Sequence, residues 1–69
     1  MNTLGQRIKS LRLEQKLTQI ELANKLFLDK STIAKYETDA IEPSISELIR
    51  LAKFFNVSTD YLLGLKDIY

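Results

Sequence analysis

The stretch TQIELANKLFLDKSTIAKYE, residues 18–37, decides the reading of this chain. Thr18 followed three positions on by Glu21 is a capping box, in which each side chain bonds a backbone N–H that the first helical turn leaves free. From there Ile20, Ala23, Leu26 and Phe27 recur at helical spacing and are expected to face inward. A second start follows almost at once. Asp29 is a favoured N-cap residue, and the segment from Lys30 to Glu37 carries Ile33 and Tyr36 as inward candidates. Only a few residues separate the two patterns, so the two helices must cross steeply.

The flanks read the same way. Thr3 and Gln6 form another capping box, opening a helix from about Leu4 to Lys16 with Leu4, Ile8 and Leu11 as its apolar stripe. Arg7, Lys9, Arg12 and Lys16 lie mostly off that stripe. After Glu37 comes a loop, TDAIEP, with the only proline. Ser44 and Glu47 then mark a fourth helix whose apolar face is Ile45, Leu48, Ile49, Ala52 and Phe55. Ser58 starts a short fifth helix through Tyr61, Leu62 and Leu63, and Gly64 stands where a helix-ending glycine belongs. No segment alternates with period two, and two glycines and one proline leave little material for hairpins. The expectation is an all-α, compact five-helix bundle, one domain over residues 1–69.

Composition removes several classes of function. Cysteine and histidine are both absent, which excludes disulfides and thiolate chemistry and removes the commonest metal ligand and general base. There is no phosphate-binding glycine loop and no paired-carboxylate pattern. No enzyme activity, cofactor, metal or small-molecule ligand is expected. No apolar run approaches the ~20 residues of a membrane span, and the N-terminus lacks the apolar stretch of a signal peptide. A cytoplasmic location without membrane contact follows. The net charge is only +1, from ten basic and nine acidic residues. It is unevenly spread: the first segment is basic, and Glu37, Asp39, Glu42 and Glu47 make the region around the loop acidic.

Four pieces in this order and spacing, LGQRIKSLR at 4–12, LTQIELANKL at 17–26, STIAKYE at 31–37 and PSISELIRLAKFFNVSTDYLL at 43–63, resemble the lambda-repressor-like, Cro-type helix-turn-helix family of bacterial and phage DNA-binding regulators, also called the xenobiotic-response-element family. The resemblance covers nearly the whole chain. It implies that the unit at about 18–37 places residues 19–26 across the DNA backbone and helix 30–37 in the major groove. The small Ala23 lets these helices pack closely, and Ile33 takes the buried position of the recognition helix.

The resemblance also assigns roles. Lys30, Ser31 and Lys35, at the start and on the outer face of the third helix, match the base-reading set; lysine can read guanine, and serine several base edges. Thr32 matches a phosphate contact. Gln19, beside the Thr18 cap at a helix N-terminus that attracts phosphate, matches a glutamine bridging phosphate and recognition helix. Arg7 and Lys9 are further backbone candidates, as are the amides of Ala40 and Ile41. Arg12 and Glu37 match an ion pair joining the first helix to the end of the third. Leu65, Ile68 and Tyr69 are apolar enough to supply a homodimer contact. Two positions depart from the family pattern. Phe27 replaces the glycine usual in the turn, where a left-handed backbone costs ~1–2 kcal/mol; either the turn here differs or burial of the ring offsets that cost. The loop carries Asp39 and Glu42 where the family has basic residues. The expected function is a sequence-specific, double-stranded-DNA-binding repressor acting as a dimer on a palindromic operator. The alternatives are a protein-interaction module of the same fold and the antitoxin of a toxin–antitoxin pair.

Overall fold

The computed structural model describes residues 2–69. Five helices and no strand occur among them: α1 (Leu4–Glu14), α2 (Gln19–Leu26), α3 (Lys30–Glu37), α4 (Ile45–Phe55) and α5 (Thr59–Leu62). Each starts behind a residue whose side chain suits the exposed first-turn amides. Thr3 and Thr18 form reciprocal capping boxes with Gln6 and Glu21. Ser44 and Ser58 accept from the amides of Glu47 and Tyr61. Asp29 occupies the N-cap of α3 but makes no side-chain cap bond. The Ser44 box is only half formed, because the Glu47 carboxylate turns to Arg50 at 2.6 Å instead of reaching back.

The helix ends share one device. After α1, α2, α3, α4 and α5 come Lys16, Phe27, Asp39, Asn56 and Gly64, all at positive φ. At each end the next amide reaches back to a carbonyl five residues earlier: Leu17 to Arg12, Leu28 to Ala23, Ala40 to Lys35, Val57 to Ala52 and Leu65 to Asp60. This is the Schellman ending, which satisfies the orphan carbonyls of the last turn. It also stops α1 at Glu14, two residues short of the expected Lys16.

The core gathers Ile8 and Leu11 of α1, Leu22, Ala23 and Leu26 of α2, Ile33 and Tyr36 of α3, Leu51, Ala52 and Phe55 of α4, and Leu62 of α5. Several expected inward residues are not in it. Ile20, Ile45 and Ile49 are exposed, and so, at 90%, is Phe27. The Phe27 ring therefore does not offset its backbone strain, at φ 57. The turn is held by the Leu28 amide on Ala23 and by the half-buried Leu28 against the core. Because the ring buries nothing, Phe27→Gly is expected to stabilise the fold by about 0.5–1 kcal/mol, the left-handed cost less the entropy glycine gains when unfolded. Thermal unfolding followed by circular dichroism checks this; an unchanged or lower midpoint would show that the ring contributes something the buried area does not reveal.

Both arginines of α1, Arg7 and Arg12, are buried; for Arg7 this departs from the expected contact with a DNA backbone. Arg7 lies 4.6 Å from the Tyr61 ring centroid, donates to the Lys66 carbonyl at 3.4 Å and pairs with Asp67 at 3.6 Å. The C-terminal residues thus fold back over α1 and α5. The Tyr69 carbonyl accepts from the Ser58 amide at 2.8 Å, its ring meets Tyr61 edge to face, and its hydroxyl donates to Glu14 at 2.8 Å. That bond to a carboxylate raises the Tyr69 hydroxyl above its ordinary pKa.

Candidate nucleic-acid interface

The helix pair α2–α3 is fixed to α1 by one buried carboxylate. Glu37, at the last residue of α3, accepts from Arg12 Nε at 2.6 Å and Arg12 Nη2 at 3.0 Å. It accepts a third bond from Gln19 Nε2, at the first residue of α2, at 3.1 Å. Arg12 Nη1 completes its fork on the Leu17 carbonyl at 2.8 Å, in the turn between α1 and α2. Both charges are withdrawn from solvent, with the Glu37 side chain 2% exposed and that of Arg12 8%. Hydrogen bonding to Glu37 raises the Arg12 pKa further above its already high ordinary value, so the guanidinium stays charged. Three helices meet at this carboxylate, and Arg12 ties in the turn beside it, which gives α3 a fixed seat.

That seat turns one face of α3 outward. Ile33, Tyr36 and Glu37 are buried, while Lys30, Ser31 and Lys35 are exposed and Thr32 is half-buried. Ser31 and Lys35, four apart, lie on the same stripe. Thr18 is exposed, and its hydroxyl accepts from the Glu21 amide at 3.1 Å. Its amide in turn donates to the Glu21 carboxylate, which lowers the Glu21 pKa. Gln19 sits beside it, its amide nitrogen committed to Glu37. Lys9 is exposed on α1.

Three expected backbone contacts are placed otherwise. Arg7 is turned inward onto Tyr61 and Asp67 and offers no charge to a partner. The amides of Ala40 and Ile41 both donate to the Lys35 carbonyl, at 2.9 and 3.4 Å, as part of the ending of α3. They are not free donors. Leu65, Ile68 and Tyr69 are exposed, but the Tyr69 hydroxyl and carbonyl are already used within the chain.

One regularity escaped sequence reasoning. Among the described residues every ion pair uses an arginine, Arg7 with Asp67, Arg12 with Glu37 and Arg50 with Glu47. All the lysines are exposed, and none is in an ion pair there. A near-zero net charge therefore conceals a partition, with carboxylates neutralising the structural arginines and lysines left over for solvent or a partner. Burial of Arg7 depends on residues some sixty positions away in the chain, at 66 and 67, and no local signal announces it.

Two short helices joined through a tight left-handed turn, the second presenting a polar, lysine-bearing face and seated on a supporting helix, define a helix-turn-helix domain. The helix-turn-helix family model matches residues 8–62, and the chain belongs to that family. It is 42% identical over 62 residues to the uncharacterized HTH-type transcriptional regulator YobD of Bacillus subtilis (strain 168), covering 90% of this chain and 55% of that protein. It is 39% identical over 66 residues to the HTH-type transcriptional regulator ImmR of the same strain, covering 96% and 52%. It is 42% identical over 62 residues to the immunity repressor protein of Bacillus phage phi105, covering 90% and 43%. The chain thus spans about half the length of the curated relatives it matches. Among solved structures, the P22 c2 repressor protein in complex with a synthetic operator superposes with a TM-score of 0.88 at 29% identity, covering 96% of this chain and 100% of that one. No helix of the described residues is long and apolar enough to cross a membrane.

Proposed function

We propose that this chain is the DNA-binding domain of a transcriptional regulator, a repressor that binds a palindromic operator as a homodimer with α3 in the major groove, and that it carries no enzymatic activity. The observation that carries this reading is the α3 face of Lys30, Ser31 and Lys35, exposed on a helix whose other side is anchored by Ile33, Tyr36 and Glu37. The likeness to a repressor solved on its operator supports the same use of that face. In this reading Lys30, Ser31 and Lys35 contact base edges. Thr18, Gln19, Thr32 and Lys9 contact phosphates, aided by the positive N-terminal end of α2. Leu65 and Ile68 contribute to the dimer contact.

Selection of duplexes from a random library at near-physiological salt is expected to enrich a palindrome with half-sites about one DNA turn apart. Against that palindrome, Lys35→Ala is expected to lose about 1–3 kcal/mol and relax preference at one position in each half-site. Lys9→Ala is expected to weaken all sequences alike and flatten the salt dependence by about one charge. Failure to enrich any duplex at any salt would remove the operator-binding reading and leave a protein-interaction module of this fold.

A further inference from the structure

Asp39 is one of the two acidic residues that stand in the loop after α3 where the family pattern has basic ones, and its carboxylate is engaged within the chain. Oδ1 accepts from the Gly5 amide at 2.9 Å, and Oδ2 accepts from the Thr3 hydroxyl at 2.6 Å. Gly5 lies in the first turn of α1, where amides have no partner within the helix. The Thr3 hydroxyl gives its proton to Asp39 and its lone pair to the Gln6 amide, at 3.2 Å. The carboxylate therefore completes the N-terminal cap of α1 from 34 residues away, at the positive end of that helix. Asp39 does a second job with its backbone. At φ 62 it is the left-handed residue that ends α3, its amide donating to Tyr36 and the next amide to Lys35.

We infer that Asp39 is a positioning residue for the DNA-reading helix, closing α3 with its backbone and pinning that end to the start of α1 with its side chain. A single tie between two helices leaves a pivot. Here there are two, Asp39 at Gly5 and Glu37 at Arg12, and the two anchor points on α1 are seven residues, or roughly 10 Å, apart along the helix axis. Two ties at that separation fix the tilt of α3 as well as its position. Gly5 permits the close approach: a Cβ there would stand 2.7 Å from the Glu37 carbonyl and 2.8 Å from the Asp39 carboxylate.

The inference rests on the DNA-binding reading, and it reverses the sign that simple electrostatics gives. A carboxylate near a phosphate backbone repels it, so removing one should tighten binding. If Asp39 positions α3, removing it loosens binding. Asp39→Gly is the informative variant, because glycine suits the left-handed backbone and relief of strain offsets loss of the cap. Its thermal midpoint is expected to stay within a few degrees of wild type. Its affinity for the selected palindrome is expected to fall roughly tenfold or more, the equivalent of about one lost base contact, with non-specific binding no weaker than wild type. Asp39→Asn, which tolerates the left-handed backbone and keeps one acceptor oxygen, is expected to recover most of the affinity.

Residual dipolar couplings of the free protein give the α3 orientation relative to α1 without DNA, and Asp39→Gly is expected to change it. Equal or tighter binding of the palindrome by Asp39→Gly overturns the inference, and so does an unchanged α3 orientation. If wild type selects no duplex, the DNA-binding reading falls and with it the link to recognition; the dipolar couplings then decide alone whether Asp39 orients α3.

Discussion

Arg12→Ala is expected to cost roughly 3–5 kcal/mol of folding stability, the range found when one partner of a buried ion pair is removed. For a chain of 69 residues that is between about a third and the whole of a total of about 3–10 kcal/mol. The reason lies in what remains. Glu37, 2% exposed, would keep only the Gln19 bond for a charge cut off from water, and the Leu17 carbonyl would lose its donor. Urea denaturation reads the loss directly. Because the cost is mainly that of stranding a charge, Arg12→Met combined with Glu37→Leu should recover much of it. A loss below about 1 kcal/mol in the single variant would mean the pair is screened as a surface pair is.

Gly5→Ala is expected to destabilise by about 2–3 kcal/mol and lower the thermal midpoint by roughly 10–20 °C. Helix propensity predicts the opposite sign, since alanine is favoured over glycine inside a helix by about 1 kcal/mol. Contact decides. The added methyl would run into the carbonyl oxygens of Tyr36 and Glu37, and these backbone atoms cannot rotate aside as a side chain would. Relief requires α1 to move away from the end of α3, stretching the Asp39 tie. A raised midpoint would show that the two helices separate at little cost.

Much of this fold was legible because its signals are local. The Thr3–Gln6 and Thr18–Glu21 boxes lie within four residues, and both form. The order of the five helices followed from such starts. The inward faces were less legible. An eight-residue helix such as α2 has barely two turns, so nearly any apolar residue fits the helical period, and Ile20 and Phe27 were placed inward although both are exposed. The end of α3 was illegible for another reason. Its Schellman ending uses Asp39 where glycine would have marked a left-handed residue, so nothing in the sequence warned that the Ala40 and Ile41 amides were spent. The burial of Arg7 and the engagement of Asp39 each depend on partners more than thirty residues away. Charge sign and neighbouring residues are silent about such pairings.

The division of cations has a consequence for how such a domain can change. The arginines are each bound to a carboxylate of the fold, Arg12 across two helices, Arg7 to the C-terminal residues and Arg50 within α4, and the lysines lie on the outside without one. A substitution at a lysine rewrites what the surface meets and leaves the scaffold standing, whereas a substitution at Arg12 alters the scaffold before any partner arrives. New target preferences can therefore accumulate at Lys30 and Lys35 without compensating repair elsewhere. Reagents that acylate amines but spare guanidinium groups would strip the outer charge from a chain that remains folded.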